Sequence, residues 1–289
     1  MQISYGTVGF RNRTLDAALT AAAAAGYTHV EISSDEHLGT IQTGPELERL
    51  RKHLRQCGLS VGTVHGPMRE NVLGAPDEEW RTEKVGVLSN YLRLSGELGA
   101  AGMVIHPVPN PNFVENEGRP ELTQIMTDAT RRSLDELVPV ANTAGVRMLL
   151  ENLPYHCHYP FLTMTELRAL VEPYPEAAVG LVIDTGHAWT KGNDPVAEIL
   201  TAGERLWGTH LQDVDGEDPQ DNHWAPTQGD LDWKAIRQAL LDVSYRGFWT
   251  FEVINPRRGE SDNELAQLTY DIASELALYA PADFPRNGM

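Results

Sequence analysis

The sequence predicts an α/β protein that folds as a single (β/α)₈ TIM barrel over residues 1–289. Three observations lead to this fold class. The length of 289 residues is usual for one such barrel. Short apolar or β-branched runs alternate eight times with longer amphipathic runs, as the strands and helices of a parallel barrel do. No linker or low-complexity segment divides the chain.

Eight short runs have the composition of strands that are covered on both faces. Strands of this kind are nearly continuous in apolar residues, because helices cover one side of the barrel wall and the other side faces its interior. In chain order, the predicted strands are Ile3–Thr7, Thr28–Ser33, Ser60–Gly66, Met103–His106, Arg147–Asn152, Gly180–Asp184, Leu206–Asp213 and Gly247–Ile254.

Eight amphipathic runs follow these strands one by one. Several end directly before a glycine, such as Gly99 and Gly145, where a positive φ ends a helix without steric cost. Thr14 and Asp77 precede two of the runs and are predicted N-caps. The predicted helices are Leu15–Ala25, Pro45–Cys57, Asp77–Leu98, Thr123–Ala144, Met164–Val171, Pro195–Thr201, Leu231–Leu241 and Asn263–Leu278.

An open, doubly wound sheet is the alternative architecture for alternating strands and helices. That fold usually carries a glycine-rich phosphate-binding fingerprint directly after its first strand. Here the first strand runs into residues 5–10, YGTVGF, which lack the required spacing. The sequence therefore favours the barrel, and no nucleotide cofactor is expected.

The charge balance limits the kinds of partner. The net charge is −18, with 41 acidic residues against 23 basic ones. A protein that binds duplex nucleic acid normally needs a basic surface, so we expect a small substrate and no nucleic acid. The sequence shows neither a secretory signal nor an apolar run long enough to span a membrane, which predicts a cytoplasmic protein without membrane association. Its two cysteines predict no disulfide framework.

The third to eighth predicted strands each deliver a histidine or a carboxylate at or near their carboxyl ends. In a (β/α)₈ barrel these ends converge on one mouth, where the active site is built. Carboxylates crowded into a half-buried cavity repel one another unless protons or a cation relieve the repulsion. We therefore predict a site for a divalent metal, Mn²⁺, Zn²⁺, Co²⁺ or Mg²⁺. The residues concerned are His65, His106, Glu151, Asp184 with His187, His210 and Glu252.

Taken singly, each of these residues also has a structural interpretation. His65 and His106 are compatible with hydrogen-bonded histidines in the barrel wall. Asp184, before Thr-Gly, is compatible with a helix N-cap, and Glu252 with one half of an ion pair. Their joint occurrence on six successive strands favours a shared site.

The order of these residues and the flanking words LLEN, IDTGH and FEV resemble the xylose isomerase-like TIM barrels. This superfamily contains sugar isomerases and epimerases and the type IV apurinic endonucleases. The resemblance covers nearly the whole chain. It implies a metal ion held by the residues that match the ligands of the epimerase branch: Glu151, Asp184, His210 and Glu252.

The endonuclease branch implies further second-metal or substrate-binding residues. These would be His65, His106, His187, Asp221 and His223. A solvated acidic loop is the alternative interpretation of Asp221 and His223. Cys157 and Gly216 stand where the ketose 3-epimerases carry a substrate-contacting Glu and Arg, so the resemblance does not imply their ketohexose specificity. Met68 stands where the endonucleases carry a DNA-wedging residue, without a neighbouring run of Lys or Arg.

The resemblance implies an isomerase or epimerase of a small sugar or sugar-like keto or hydroxy substrate. Glu151 and Glu252 would remove and return the proton on a carbon next to a carbonyl, through a metal-stabilised enediolate. His187 would contact the substrate or a second ion. Trp224 and Cys157 are predicted to contact the substrate.

Three other functions stay open at this point. A lyase or dehydratase acting on a keto-sugar or an inosose would use the same intermediate. A multi-metal phosphodiesterase or apurinic endonuclease is favoured by the additional ligands and opposed by the charge. The presence of both Glu151 and Glu252 argues against a non-catalytic binding barrel. The substrate, the identity and number of metal ions and the oligomeric state, a homo-oligomer included, also stay open.

Overall fold

Eight parallel strands close into a barrel in the computed structural model, which describes residues 2–39 and 44–278. The strands are β1 (Gln2–Gly6), β2 (His29–Ser33), β3 (Ser60–His65), β4 (Gly102–Ile105), β5 (Arg147–Glu151), β6 (Val179–Asp184), β7 (Leu206–Leu211) and β8 (Phe248–Phe251). Each strand pairs with its neighbours in sequence, and β8 pairs with β1 to complete the closure. The predicted (β/α)₈ barrel is confirmed.

Helices connect the strands and cover the outside of the barrel. They are α1 (Leu15–Ala24), α2 (Gly44–Cys57), α3 (Glu78–Leu98), α4 (Leu122–Ala144), α5 (Met164–Val171), α6 (Thr185–Lys191), α7 (Pro195–Ala202), α8 (Trp233–Asp242) and α9 (Asp262–Leu278). Within the described ranges, no helix combines the length and the apolar composition that crossing a membrane requires.

The predicted helix caps are confirmed at four positions. Gly99 follows α3 with φ 75° and Gly145 follows α4 with φ 68°, both in the left-handed region that glycine adopts without strain. The side chains of Thr14 and Asp77 accept hydrogen bonds from the backbone N–H three residues further along the chain. Local sequence therefore sets these four helix ends.

Among the α-helices of the described residues, α6 was not predicted. α6 has seven residues and begins with Thr-Gly, a composition that is typical of a loop. It begins because the Asp184 side chain accepts a hydrogen bond from the backbone N–H of His187, at 2.7 Å between Oδ1 and N. The alternative interpretation of Asp184 as an N-cap is therefore correct.

The strands β7 and β8 end earlier than predicted, before Asp213 and Ile254. After β7, the backbone of Asp213 exchanges two hydrogen bonds with that of Trp224, at 2.9 and 3.1 Å. After β8, the N–H of Ile254 donates to the carbonyl of His223 at 3.0 Å. Both partners belong to the loop between β7 and α8, so this loop is fixed to the strand ends at the mouth.

The lower part of the barrel interior is apolar. Val104, Leu149 and Val182 pack together with Trp207, apart from the main core between strands and helices. The Arg147 guanidinium carbon lies 3.6 Å from the centre of the Trp207 ring. This packed floor confines polar chemistry to the carboxyl ends of the strands.

Candidate metal-binding site

Four side chains from the ends of β5 to β8 surround one point at the mouth of the barrel. Side chains alternate along a strand, so Glu151 and Asp184, each two positions after an inward-facing residue of the barrel floor, also face the barrel interior. Each of the four offers one ligand atom, and these atoms all lie within 4.8 Å of one another: Glu151, Asp184, His210 and Glu252. All four residues are at most 5% exposed. We call this set the quartet.

Asp184 is held by the chain on several sides. The Asn152 side chain bridges β5 and β6, since its Oδ1 accepts from the Asp184 N–H at 2.7 Å and its Nδ2 donates to the Asp184 carbonyl at 3.0 Å. Asp184 Oδ1 also accepts from Gln212 Nε2 at 3.1 Å, in addition to the His187 N–H. The protein therefore fixes this carboxylate through its own hydrogen bonds.

Glu151 lies among four histidines. Its Oε1 lies 2.6 Å from His210 Nδ1 and 3.6 Å from His187 Nδ1, and its Oε2 lies 3.2 Å from His106 Nε2 and 3.6 Å from His65 Nε2. Burial alone would raise the pKa of Glu151, but His210, His106 and His65 outweigh burial and hold that pKa well below its usual value. Burial would lower the pKa of His210, but the carboxylates of Glu31 and Glu151 raise it well above the usual value.

Two observations test whether these residues fit a divalent cation. Glu151 Oε2 is buried, and within residues 2–39 and 44–278 its contacts with His106 and His65 do not have hydrogen-bond geometry. A buried oxygen without a well-formed hydrogen bond costs free energy that a cation would offset. Burial also raises the pKa of Asp184 to about 6, despite the lowering effect of His187 and His223. Three carboxylates and one imidazole are suitable ligands for Mn²⁺, Zn²⁺, Co²⁺ or Mg²⁺. The residues present therefore fit such an ion.

His187, Asp221 and His223 form a second cluster of ligand atoms within 4.8 Å of one another. Asp221 Oδ1 lies 3.0 Å from His223 Nε2 and 3.4 Å from His187 Nε2. Burial would raise the pKa of Asp221, but the two histidines hold it well below its usual value. Burial would lower the pKa of His223, but Asp221 and other carboxylates raise it to about 9. The Asp221 side chain is 39% exposed, so it contacts both the cluster and solvent.

His65 and His106 border the quartet through Glu151. The His65 ring stacks on the His210 ring, with 5.4 Å between their centres, and its Nδ1–H donates to the Gly66 carbonyl at 2.8 Å. Burial would lower the pKa of His65, but Glu151 and other carboxylates raise it to about 9. Burial lowers the pKa of His106. The structure thus brings the five residues that match the endonuclease branch to the mouth: His65, His106, His187, Asp221 and His223.

A cavity of about 250 Å³ opens at this mouth. Within the quartet, Glu151 and Glu252 line the cavity, whereas Asp184 and His210 do not. The cavity is also lined by the histidines and the aspartate predicted as additional ligands: His65, His106, His187, Asp221 and His223. A larger and more open groove of about 660 Å³ lies between α1, α2 and α9 and shares no lining residue with the cavity.

Trp224 and Cys157, the two predicted substrate contacts, are not among the described residues that line the cavity. Trp224 is held by its backbone bonds to Asp213, and the Arg257 guanidinium carbon lies 4.3 Å from the centre of its ring. Cys157 is half-buried in the loop between β5 and α5. Tyr155 of the same loop lines the cavity instead, although the sequence singled out only Cys157 there.

Two buried polar residues of the site were missed by the sequence analysis. Gln212 donates from Nε2 to Asp221 Oδ1 at 3.0 Å and accepts at Oε1 from the His223 N–H at 2.8 Å. Its position two residues after His210 was a usable signal, because alternate residues of a strand share a face. Glu31 lies within β2 and is 3% exposed. Its signal was a charge inside an apolar strand, since a buried charge needs a partner.

Residues 19–272 match the model of the family described as xylose isomerase-like TIM barrel. The D-psicose 3-epimerase of Enterocloster bolteae is 25% identical over 245 residues, which cover 84% of this chain and 77% of that protein. A probable endonuclease 4 of Campylobacter concisus is 25% identical over 214 residues, which cover 68% of this chain and 72% of that protein.

Among solved structures, D-psicose 3-epimerase with D-tagatose from Clostridium cellulolyticum H10 is similar in fold. The TM-score is 0.79 at 18% sequence identity, and the alignment covers 96% of this chain and 99% of the other. At this identity the likeness concerns the fold alone.

Proposed function

Because the chain belongs to the xylose isomerase-like TIM barrel family, we propose that it is a divalent-metal-dependent isomerase or epimerase of a small sugar or sugar-like substrate. The substrate would carry a carbonyl next to a carbon that bears a hydroxyl group. The observation that carries the proposal is the position of Glu151 and Glu252, which belong to the quartet and also line the cavity. The likeness to D-psicose 3-epimerases supports the same class of reaction.

The four quartet residues divide into two pairs. A divalent cation held by the quartet would polarise the substrate carbonyl and so acidify the neighbouring carbon. Asp184 and His210 do not line the cavity and bond to other protein groups, so they would anchor the ion. Glu151 and Glu252 would meet the substrate.

The chemical step would be a proton transfer between Glu151, Glu252 and the carbon beside the carbonyl. One glutamate, in its ionised form, would remove the proton from one face, and the other, in its protonated form, would give its proton to the opposite face. This transfer inverts the configuration at that carbon and exchanges the protonation states of the two glutamates. His210 and its neighbours keep the pKa of Glu151 low, so Glu151 is a carboxylate at neutral pH and can accept a proton. Two glutamates beside one point suit this inversion.

The second cluster would bind the remaining hydroxyl groups of the substrate. The Asp221 carboxylate accepts hydrogen bonds, and protonated His187 and His223 donate them. Burial would lower the pKa of both histidines, but neighbouring carboxylates raise these pKa values, so both rings carry two N–H donors at neutral pH. Nδ1 of each ring faces a backbone carbonyl, so the Nε2 side of each ring and the Asp221 carboxylate would meet the substrate hydroxyl groups.

The test is proton exchange in D₂O, followed by ¹H NMR on unphosphorylated ketohexoses and ketopentoses. We expect the Mn²⁺-loaded protein to exchange the proton beside the carbonyl and to form an epimer. Glu151→Gln and Glu252→Gln should each lower turnover by about 10²-fold or more. Chelation should abolish exchange, and Mn²⁺, Co²⁺ or Mg²⁺ should restore it.

Glu198→Gln is the matched control. Glu198 is a buried carboxylate on α7 that accepts a hydrogen bond from the Met164 N–H, and it is not a member of either cluster. We expect this variant to keep its activity. Undiminished exchange in metal-free protein, or in both quartet variants, contradicts the proposal.

The second cluster favours one further candidate, a multi-metal phosphodiesterase or apurinic endonuclease. The likeness to a probable endonuclease 4 supports it, whereas the net charge of −18 opposes binding to DNA. Nicking of a duplex with one abasic site, together with more than one metal ion per chain, would favour this candidate over the epimerase. A lyase would use the same pair of glutamates, and a product that is one water lighter than the substrate would distinguish it.

A further inference from the structure

We infer that Glu31 is a positioning residue that prepares His210 for metal binding by holding the imidazole proton on Nε2. This inference rests on the proposed metal-dependent function. Glu31 lies on β2, on the opposite edge of the His210 ring from the quartet carboxylates, and it does not line the cavity. It would therefore act through His210 and not on the substrate.

Both oxygens of Glu31 are used inside the barrel. Oε2 accepts from the Thr63 hydroxyl at 2.7 Å, and Oε1 lies 2.9 Å from His210 Nε2. Its ion-pair partner in the described part of the chain is His210, and both side chains are at most 4% exposed. Burying a carboxylate this deeply is unfavourable unless it is paired. The His210 ring is thus the group that offsets the buried charge.

The two nitrogens of His210 face different partners. Nε2 faces Glu31, whereas Nδ1 lies 2.6 Å from Glu151 Oε1 and 3.5 Å from Glu252 Oε2. Only Nδ1 is therefore placed to bind an ion at the quartet. In a neutral imidazole one of the two nitrogens carries a proton and the other has a free lone pair. If the proton is on Nδ1, the nitrogen that faces the quartet has no lone pair for the ion.

An ionised carboxylate can only accept a hydrogen bond, so Glu31 favours the form of His210 that carries its proton on Nε2. Carboxylates in this position orient the ring and raise the basicity of the ligand nitrogen. A glutamine at position 31 lacks this preference, because its NH₂ group can donate to Nε2 and drive the proton to Nδ1. We therefore expect Glu31→Gln to weaken metal binding without removing a ligand.

The experiment compares Mn²⁺ binding by wild-type protein, Glu31→Gln and Glu198→Gln, with free Mn²⁺ measured by electron paramagnetic resonance. The expected result is a dissociation constant about 10- to 100-fold higher in Glu31→Gln. Glu198→Gln also loses one buried carboxylate and should bind Mn²⁺ as the wild type does. Activity is not part of this measurement.

A second measurement needs no variant at position 31. The ¹⁵N NMR spectrum of Zn²⁺-loaded wild-type protein should show His210 with its proton on Nε2 and the ion on Nδ1. This spectrum decides the question if Glu31→Gln does not fold.

The possible failures are distinguishable. Wild-type protein that binds no Mn²⁺ overturns the proposed function together with this inference. Normal Mn²⁺ binding by Glu31→Gln, or a proton on Nδ1 of His210 in the Zn²⁺-loaded wild type, overturns this inference alone.

Discussion

Gly186 lies in the first turn of α6, directly against the side chain of Gln212. A Cβ at this position would lie 2.6 Å from Gln212 Nε2 and closer still to its Cδ and Oε1. Gln212 is fully buried, and its amide bonds to Asp184, to Asp221 and to the backbone of His223. The amide cannot move aside without losing these bonds. We therefore expect Gly186→Ala to weaken the fold and the metal site together.

The magnitude follows from three effects. An additional methyl group in a packed site costs about 1–3 kcal/mol. Displacing Gln212 leaves the buried N–H of His223 without its acceptor, which costs about 1–3 kcal/mol more. Alanine favours the helix over glycine by about 1 kcal/mol. The free energy of unfolding should therefore fall by about 1–5 kcal/mol.

Urea unfolding of metal-free protein, followed by circular dichroism, measures this loss. Gly86→Ala is the matched control, because Gly86 lies within α3 and a Cβ there meets nothing within 4 Å. The control should gain about 0.5–1 kcal/mol. Mn²⁺ binding should weaken only in Gly186→Ala, since Asp184 loses its bond from Gln212. A gain in stability like that of the control, with unchanged Mn²⁺ binding, would refute this reasoning.

Two further predictions concern His210 and Trp233. Burial lowers the pKa of His210, but Glu31 and Glu151 raise it well above the usual value, so the metal-free ring is protonated at neutral pH. Mn²⁺ binding should therefore release protons and become tighter as the pH rises. Calorimetry in buffers of different ionisation enthalpy measures the number of protons released. Binding without proton release would contradict the prediction. Trp233 Nε1 donates to the buried carboxylate of Asp213 at 2.8 Å. Trp233→Phe should therefore lower the free energy of unfolding in urea by about 1–3 kcal/mol. An unchanged unfolding midpoint would show that this bond contributes nothing to stability.

The parts of the structure that local chemistry determines could be predicted from the sequence. Apolar runs of strand length, with Gly99 and Gly145 ending two of the helices between them, predicted the barrel. The convergence of Glu151 and Glu252 then followed from topology, because all strands of a parallel barrel end at the same mouth. Neither prediction required knowledge of individual side-chain contacts.

The missed features depend on contacts between distant parts of the chain. Gln212 is part of the site because the loop between β7 and α8 returns Asp221 and His223 to the mouth. Glu31 contacts a histidine 179 positions away, and no local pattern encodes that pairing. Trp224 lies beside the site in sequence, but its backbone bonds to Asp213 hold it in the loop and away from the cavity lining.

The dual role of Asp184 has a consequence for how the ion is acquired. The carboxylate that would bind the ion also begins α6, and the His187 N–H, Gln212 and Asn152 hold the residue in position through hydrogen bonds within the protein. The position of this ligand therefore depends on the fold of the chain. Ion uptake would then be a docking event and not a folding event, unlike that of small zinc domains, whose chains are disordered until the ion arrives. Such a barrel would keep its architecture while one divalent ion replaced another.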